Sequence, residues 1–297
     1  MSHLPHPDAS AELSRHGLIA VRGEEARPFL HNQLTNDIEH LDAAHARLAG
    51  WCSPKGRLLA SFVALAADGG ILLQVARDIA PAVSKRLSMF VLRTKAKVTD
   101  ESDSWKQYGT WGPGAASRLA AAGLPVPRGP LACATVDGAA VVAMEADRFL
   151  VVSREPRPAL AEGGTADDWA LAEIRAARPF ITQSTQDQFV PQMANLEVLG
   201  GVDFKKGCYP GQEIVARTQY RGILKRRMDL VEADEPIAEG QSLVSDDFPD
   251  QASGMVVNAV GREGLAVLQI ASVEQSQPVR LRAGGPALRV SRPPYAL

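Results

Sequence analysis

Cysteine is scarce in this chain of 297 residues: there are three, Cys52, Cys133 and Cys208. They lie far apart, their number is odd, and no Cys-x-x-Cys pair occurs. A disulfide framework is therefore not expected, and a reducing cytoplasm is the expected compartment. Histidine gives no better metal signal. His3, His6, His16, His31, His40 and His45 all fall within the first 45 residues, in a scatter that suits loops and a solvated helix face. Zinc or a four-cysteine iron–sulfur cluster wants clustered ligands, so no resident metal is expected. No apolar run approaches the ~20 residues that span a bilayer. Residues 1–10 carry His, Pro and Asp and lack the apolar core of a secretory signal. The formal net charge is only -2. A general attraction to nucleic acid or anionic membrane is thereby excluded, though a local basic patch is not.

What is present is an ordinary globular composition, 45% hydrophobic and 22% charged, with length enough for two or three domains. Residues 18–21 read as a buried strand, and 24–32 as a helix with Ala26, Phe29 and Leu30 on one face. Segments 57–65 and 71–76 form a hairpin around Asp68-Gly69-Gly70. An amphipathic helix is expected over 78–91, with Ile79, Val83, Leu87 and Phe90 sharing a face. Strands follow near 95–99 and 105–110, then a short helix over 114–122. Three more strands fit 131–136, 139–144 and 149–152. Hairpins mixed with single helices give an α+β class. A Pro-, Gly- and charge-rich linker covers 155–167, and a helix over 169–178 is stopped by Pro179.

Residues 182–201 form a long polar stretch whose anchors Phe189, Val190, Met193, Leu196 and Leu199 argue for order. About six short strands between 228 and 290 suggest a small C-terminal barrel or sandwich.

The chemistry concentrates in residues 206–213, Lys-Gly-Cys-Tyr-Pro-Gly-Gln-Glu. Pro210 suits the first turn of a helix that runs to about Tyr220 and stops at Gly222. Cys208 would then precede the positive end of a helix dipole, beside Lys205, Lys206 and Arg217. Both features favour a thiolate, the form a nucleophile or soft-metal ligand needs. Gly207 and Gly211 leave room for a close-approaching partner. From Lys205 to Arg227 there are seven basic residues against one acid, Glu213. That run reads either as a solvated helix face or as an anion site for a carboxylate tail, a phosphate or an RNA backbone. Only Tyr209 and Tyr220 interleave it, which is thin for base stacking. Asp37, in Thr35-Asn36-Asp37, reads first as a cap.

Residues 188–196, 200–213 and 217–227 together resemble the YgfZ family, the folate-binding, iron–sulfur-related branch of the aminomethyltransferase (glycine cleavage T-protein) superfamily. The N-terminal 29–37 segment and Cys52-Ser-Pro-Lys-Gly-Arg57 are similar to that superfamily too. The resemblance implies an α+β, three-domain T-protein-like ring closed by a small C-terminal β-barrel. Its expected parts are 1–46 with 155–225 as a discontinuous folate-binding domain, 47–154 as a second, ferredoxin-like domain, and 226–297 as the barrel. It further implies a central opening for tetrahydrofolate or a derivative, with Cys208 facing that cavity as the reactive residue. Support of iron–sulfur cluster assembly or repair, including enzymes that modify tRNA, would be the role, and folate and iron–sulfur proteins the partners.

Lys206, Arg217 and Arg221 would hold the folate tail, with Tyr209, Gln212 and Glu213 beside them. Asp37, Gln192 and Asn195 are pterin candidates by residue type. Aminomethyl transfer needs a carboxylate near the folate nitrogen. The matching stretch, Leu58-Leu-Ala-Ser61, has none, and a second acid of the superfamily aligns near Arg175. A one-carbon transferase and a tRNA-binding module stand as the alternatives.

Overall fold

Strand alternation divides this protein's apolar residues between opposite faces of sheets, and three sheets result. The computed structural model describes residues 7–248 and 252–297. His3 and His6 lie outside them. The first part of the chain contains β1 (Ala9–Glu12), β2 (His16–Arg22), α1 (Ala26–His31), β3 (Arg47–Cys52), β4 (Leu58–Ala67), β5 (Gly70–Ala76), α2 (Ala80–Ser88) and β6 (Lys97–Asp100). Strands β3-β4-β5-β2-β6, in that order, form a five-stranded antiparallel sheet. Asp68 and Gly69, both at positive φ, make the expected β4–β5 turn.

One face of this sheet, with Ile19, Val21, Phe62, Leu73 and Val75, packs on α1 and α2 through Phe29, Leu30, Val83 and Leu87. The other face, with Leu18, Ala20, Val63, Leu65 and Leu72, packs on a second sheet. The expected domain boundary after residue 46 falls inside the first sheet, because β2 pairs directly with β5. His16 likewise sits on β2 rather than in a loop or on a helix.

The second sheet is built from β1 with β7 (Lys106–Trp111), β8 (Cys133–Val136), β9 (Ala139–Glu145) and β10 (Arg148–Ser153), in the order β1-β7-β10-β9-β8. Helix α3 (Ala115–Ala121) covers its outer face through Ala115 and Leu119, against Phe149 and Val151. The next helix, α4 (Ala166–Arg175), begins earlier than its apolar pattern suggests. The cause is a capping box: Thr165 Oγ1 accepts from the main chain of Asp168, and Asp168 accepts in return from the main chain of Thr165.

Among the described residues, 176–211 contain no helix or strand. The segment is nonetheless anchored, with Phe189, Ala194, Leu196, Val202 and Tyr209 in one apolar cluster. Helix α5 (Gln212–Tyr220) follows, and the chain ends in β11 (Arg226–Glu232), β12 (Ser242–Ser245), β13 (Gly254–Val260), β14 (Glu263–Gln269), α6 (Ile270–Glu274), β15 (Val279–Arg280) and β16 (Arg289–Ser291). These strands make a curled six-stranded sheet, ordered β15-β12-β13-β14-β11-β16, around Leu243, Val256, Ala266 and Leu268. The C-terminal β unit is thus present with its six strands.

Candidate functional site

Helix α5 starts at Gln212, two residues later than the placement of Pro210 at its first turn implies. Gly211 is the reason. It stands at φ 78, a left-handed conformation through which a right-handed helix cannot continue. A Cβ there would also lie 2.4 Å from the Ser53 carbonyl oxygen and 2.6 Å from Gly56 Cα. The close approach that Gly211 permits is therefore intramolecular. The 53–57 turn, closed by Gly56 N–H donating to Ser53 O at 2.8 Å, nests on the start of α5. Cys208 lies four residues ahead of the helix and is exposed, whereas Cys52 and Cys133 are buried.

Lys206 is 9% exposed, and its ammonium donates to the main-chain oxygens of His31 and Leu34, where α1 ends. It also lies 4.8 Å from the centre of the Tyr209 ring. Burial pulls its pKa down to about 8, against the raising influence of Asp203, Asp37 and Cys208. Tyr209 is buried, which pushes its phenol up. His31 is the group closest to the open side of Gly207: a Cβ there would lie 3.8 Å from Nε2. Its Nδ1 is 3.0 Å from Asp37 Oδ1.

Burial opposes the ionisation of Asp37, but hydrogen bonds from the His40 side chain and main chain, and from Arg47, outweigh it and hold the carboxyl at about 2. His31 Nδ1 faces both ionised Asp37, which can only accept, and the Glu39 main-chain N–H at 3.3 Å, which can only donate. Along the chain Cys208 has no histidine neighbour; the fold brings His31 beside Gly207, the residue before it.

The other candidates are spread around this segment. Gln212 is half-buried at the start of α5, while Glu213, Arg217 and Arg221 are exposed along and beyond it. Gln192 donates to Val215 O at 2.8 Å and so ties the long loop to α5. Asn195, at φ 56, donates to Met228 O at 2.9 Å and accepts from Arg227.

None of these ten residues lines the cavity that the three sheets enclose. Counted out to its mouth, that cavity holds about 870 Å³. Its apolar wall includes Phe62, Met144, Trp169, Phe180 and Leu196. Its polar lining includes two carboxylates that no motif pointed to. Glu173 on α4 lies 2.7 Å from Arg148 and 3.5 Å from Arg178. Glu239 lies 2.7 Å from Arg15 and accepts from Thr182 Oγ1 at 2.9 Å. Arg175, where the superfamily acid aligned, instead faces Glu263 in a two-pronged pair. His16 stacks on Phe180, with ring centres 4.6 Å apart, and its buried Nδ1 has no partner. Burial, with the Arg15 charge adding to it, pushes the imidazole down to about 3 and keeps it neutral. An apolar cavity with a few convergent polar groups is the usual architecture of a small-molecule site.

Among the described residues, no group of three or more His, Cys, Asp and Glu could hold a metal ion, and no helix is long and apolar enough to cross a membrane.

A family model described as the CAF17 C-terminal beta-barrel domain matches residues 225–296. The tRNA-modifying protein YgfZ of Klebsiella pneumoniae is 27% identical over 299 residues, spanning 94% of this chain and 90% of its own. Its namesake from Sodalis glossinidius is 30% identical over 254 residues, spanning 82% and 76%. The glycine cleavage system aminomethyltransferase T of Bartonella henselae superposes with a TM-score of 0.77, over 97% of this chain and 86% of its own, at 17% identity. The fold is therefore that of the T-proteins.

Proposed function

The chain belongs to the YgfZ family, whose relatives carry the name tRNA-modifying protein, and from that membership we propose a tetrahydrofolate-binding accessory protein of iron–sulfur cluster assembly or repair. It would act in the cytoplasm, support tRNA-modifying iron–sulfur enzymes, and use the Cys208 thiolate. The observation that carries the folate half is the cavity itself, an aromatic-walled space at the junction of three sheets in a T-protein fold. Phe180 presents a partly exposed ring to the cavity, and the mostly apolar lining strengthens each hydrogen bond made inside it. Bound tetrahydrofolate would supply a carrier of one-carbon units.

The thiol half rests on Cys208 being the exposed cysteine, in a segment held rigid by Lys206 and Gly211. Titration calorimetry with tetrahydrofolate tests the first half, and absence of binding at high micromolar concentration sinks it. Restoration of iron–sulfur enzyme activities in a deletion strain by Cys208→Ala, equal to that by the parent, would sink the second.

One observation bears against aminomethyl transfer. Residues 58–61 carry no acid, and both cavity carboxylates lie in ion pairs with arginine. A second reading, RNA binding, has a specific feature in its favour. Arg217, Arg221 and Lys225 are exposed beside Tyr220 and Ile223, which are 68% and 89% exposed. That reading requires a steep fall of RNA affinity with salt, and a flat response removes it.

A further inference from the structure

The cavity floor is one face of the first sheet. Alternation places Val63 on β4 and Leu18 on β2 on the same face, and both are register partners of Gln74 on β5. Toward the second sheet this face is covered by Leu65 and Leu72. Where that packing ends, Ser61, Gln74 and His16 meet the cavity instead.

Most of the polar lining is already committed. Ser61 Oγ accepts from Ile181 N–H at 3.0 Å. Asn258 spends both ends of its amide on the main chain of Phe180, at 2.8 and 2.7 Å. Glu173 and Glu239 face their arginines. Glu173 Oε1 and Arg178 Nη1 face each other as an ion pair without a hydrogen bond, and two uncharged groups are left. Gln74 is 6% exposed, and its carboxamide makes no hydrogen bond among the described residues. His16, diagonal to it across β2 and β5, has the unpartnered Nδ1. Neither is a residue that packing alone would place there, since a buried amide without a partner is costly.

A carboxamide offers one donor and one acceptor side by side in a plane. The complementary partner is a cyclic lactam edge, with N–H beside C=O, such as the pyrimidinone edge of a pterin. Resting on the folate reading above, we propose that Gln74 is the residue that reads the lactam edge of the ring bound in this cavity, with His16 as its hydrogen-bonding neighbour. Both readers are uncharged, because burial suppresses protonation of His16. The site should therefore prefer a neutral 4-oxo ring over a 4-amino ring, whose basic edge asks for a carboxylate.

The test measures binding of 5-formyltetrahydrofolate and of a 2,4-diaminopteridine analogue by calorimetry, to the full chain and to Gln74→Leu, Gln74→Glu and His16→Asn. The parent should favour the oxo compound by at least tenfold. Gln74→Leu should lose about tenfold in affinity for it and with that most of the preference. Gln74→Glu should reverse the preference, an effect that mere loosening of the fold cannot produce. His16→Asn, on a different strand, should weaken the oxo compound several-fold. Parent-like affinity in Gln74→Leu, or an unchanged preference in Gln74→Glu, overturns the assignment while leaving folate binding intact. Failure of the parent to bind either compound overturns the folate reading and this assignment with it.

Discussion

Gly211 lies against Gly56 so closely that a methyl group on Gly211 would come within 2.6 Å of Gly56 Cα. Two segments more than 150 residues apart in sequence are thereby locked together. Gly211→Ala should destabilise the protein by roughly 1–3 kcal/mol from backbone strain alone, and by more once the contact is forced apart. Gly207→Ala is the control, since its Cβ would meet nothing nearer than His31 Nε2 at 3.8 Å. Urea unfolding should show a clearly lowered midpoint for the first variant and a near-parental midpoint for the second.

Lys206→Met keeps the apolar stem and removes the ammonium. The carbonyls of His31 and Leu34 then lose a buried donor. A loss of roughly 1–3 kcal/mol is expected from leaving such groups unpaired. If unfolding shows no change, the lysine is not an anchor for the end of α1.

Thiol labelling separates the three cysteines. Burial pushes Cys52 up to about 12, and burial with the Asp42 charge pushes Cys133 up to about 11. Iodoacetamide at neutral pH should therefore label one thiol per native chain, and none in Cys208→Ala. Mass spectrometry reads the stoichiometry. Labelling of Cys52 before unfolding would contradict the burial described.

Two groups with large shifts contribute separably to acid stability. Asp37, ionised down to about 2 in the folded protein, contributes stability that is complete above about pH 4 and lost as pH falls through 2. Asp37→Asn should lower stability at neutral pH and flatten the profile in that window.

His16 acts higher on the scale. Its folded value near 3 lies below that of the unfolded chain, about 6.5. Between those values the unfolded state binds the extra proton, so stability falls steadily on acidification from pH 6.5 toward 3. Denaturant midpoints of His16→Gln, measured from pH 7 to 4, should decline less steeply than those of the parent.

The C-terminal strands and the 206–213 segment were legible because their signals are local: alternation between turns in one, a dense run of reactive and small residues in the other. Strand β1, of Ala9, Ser10, Ala11 and Glu12, and β3, with Ala49 and Gly50 at its centre, have small residues that carry no apolar pattern. Their burial comes from partner strands. The start of α5 was misplaced because Pro210 advertises a helix, whereas the contact of Gly211 with a distant turn delays it. The resemblance implied a central opening, but the residues that line it were not legible. Its polar lining includes positions 16, 74, 173 and 239, and each of those residues alone reads as an ordinary strand, helix or loop residue.

Strand β4 bears on both regions. Its first residue, Leu58, directly follows the turn pressed against Gly211, and Ser61, three residues on, already borders the cavity. At about 3.3 Å per residue that is a span of only about 10 Å, paired with β3 on either side of a bulge at Leu59. A strand so short, paired on both sides of the bulge, couples the two regions directly. The segment that carries Cys208 and the cavity share this one strand, so a reporter dye attached at Cys208 is positioned to register filling of the cavity without touching it.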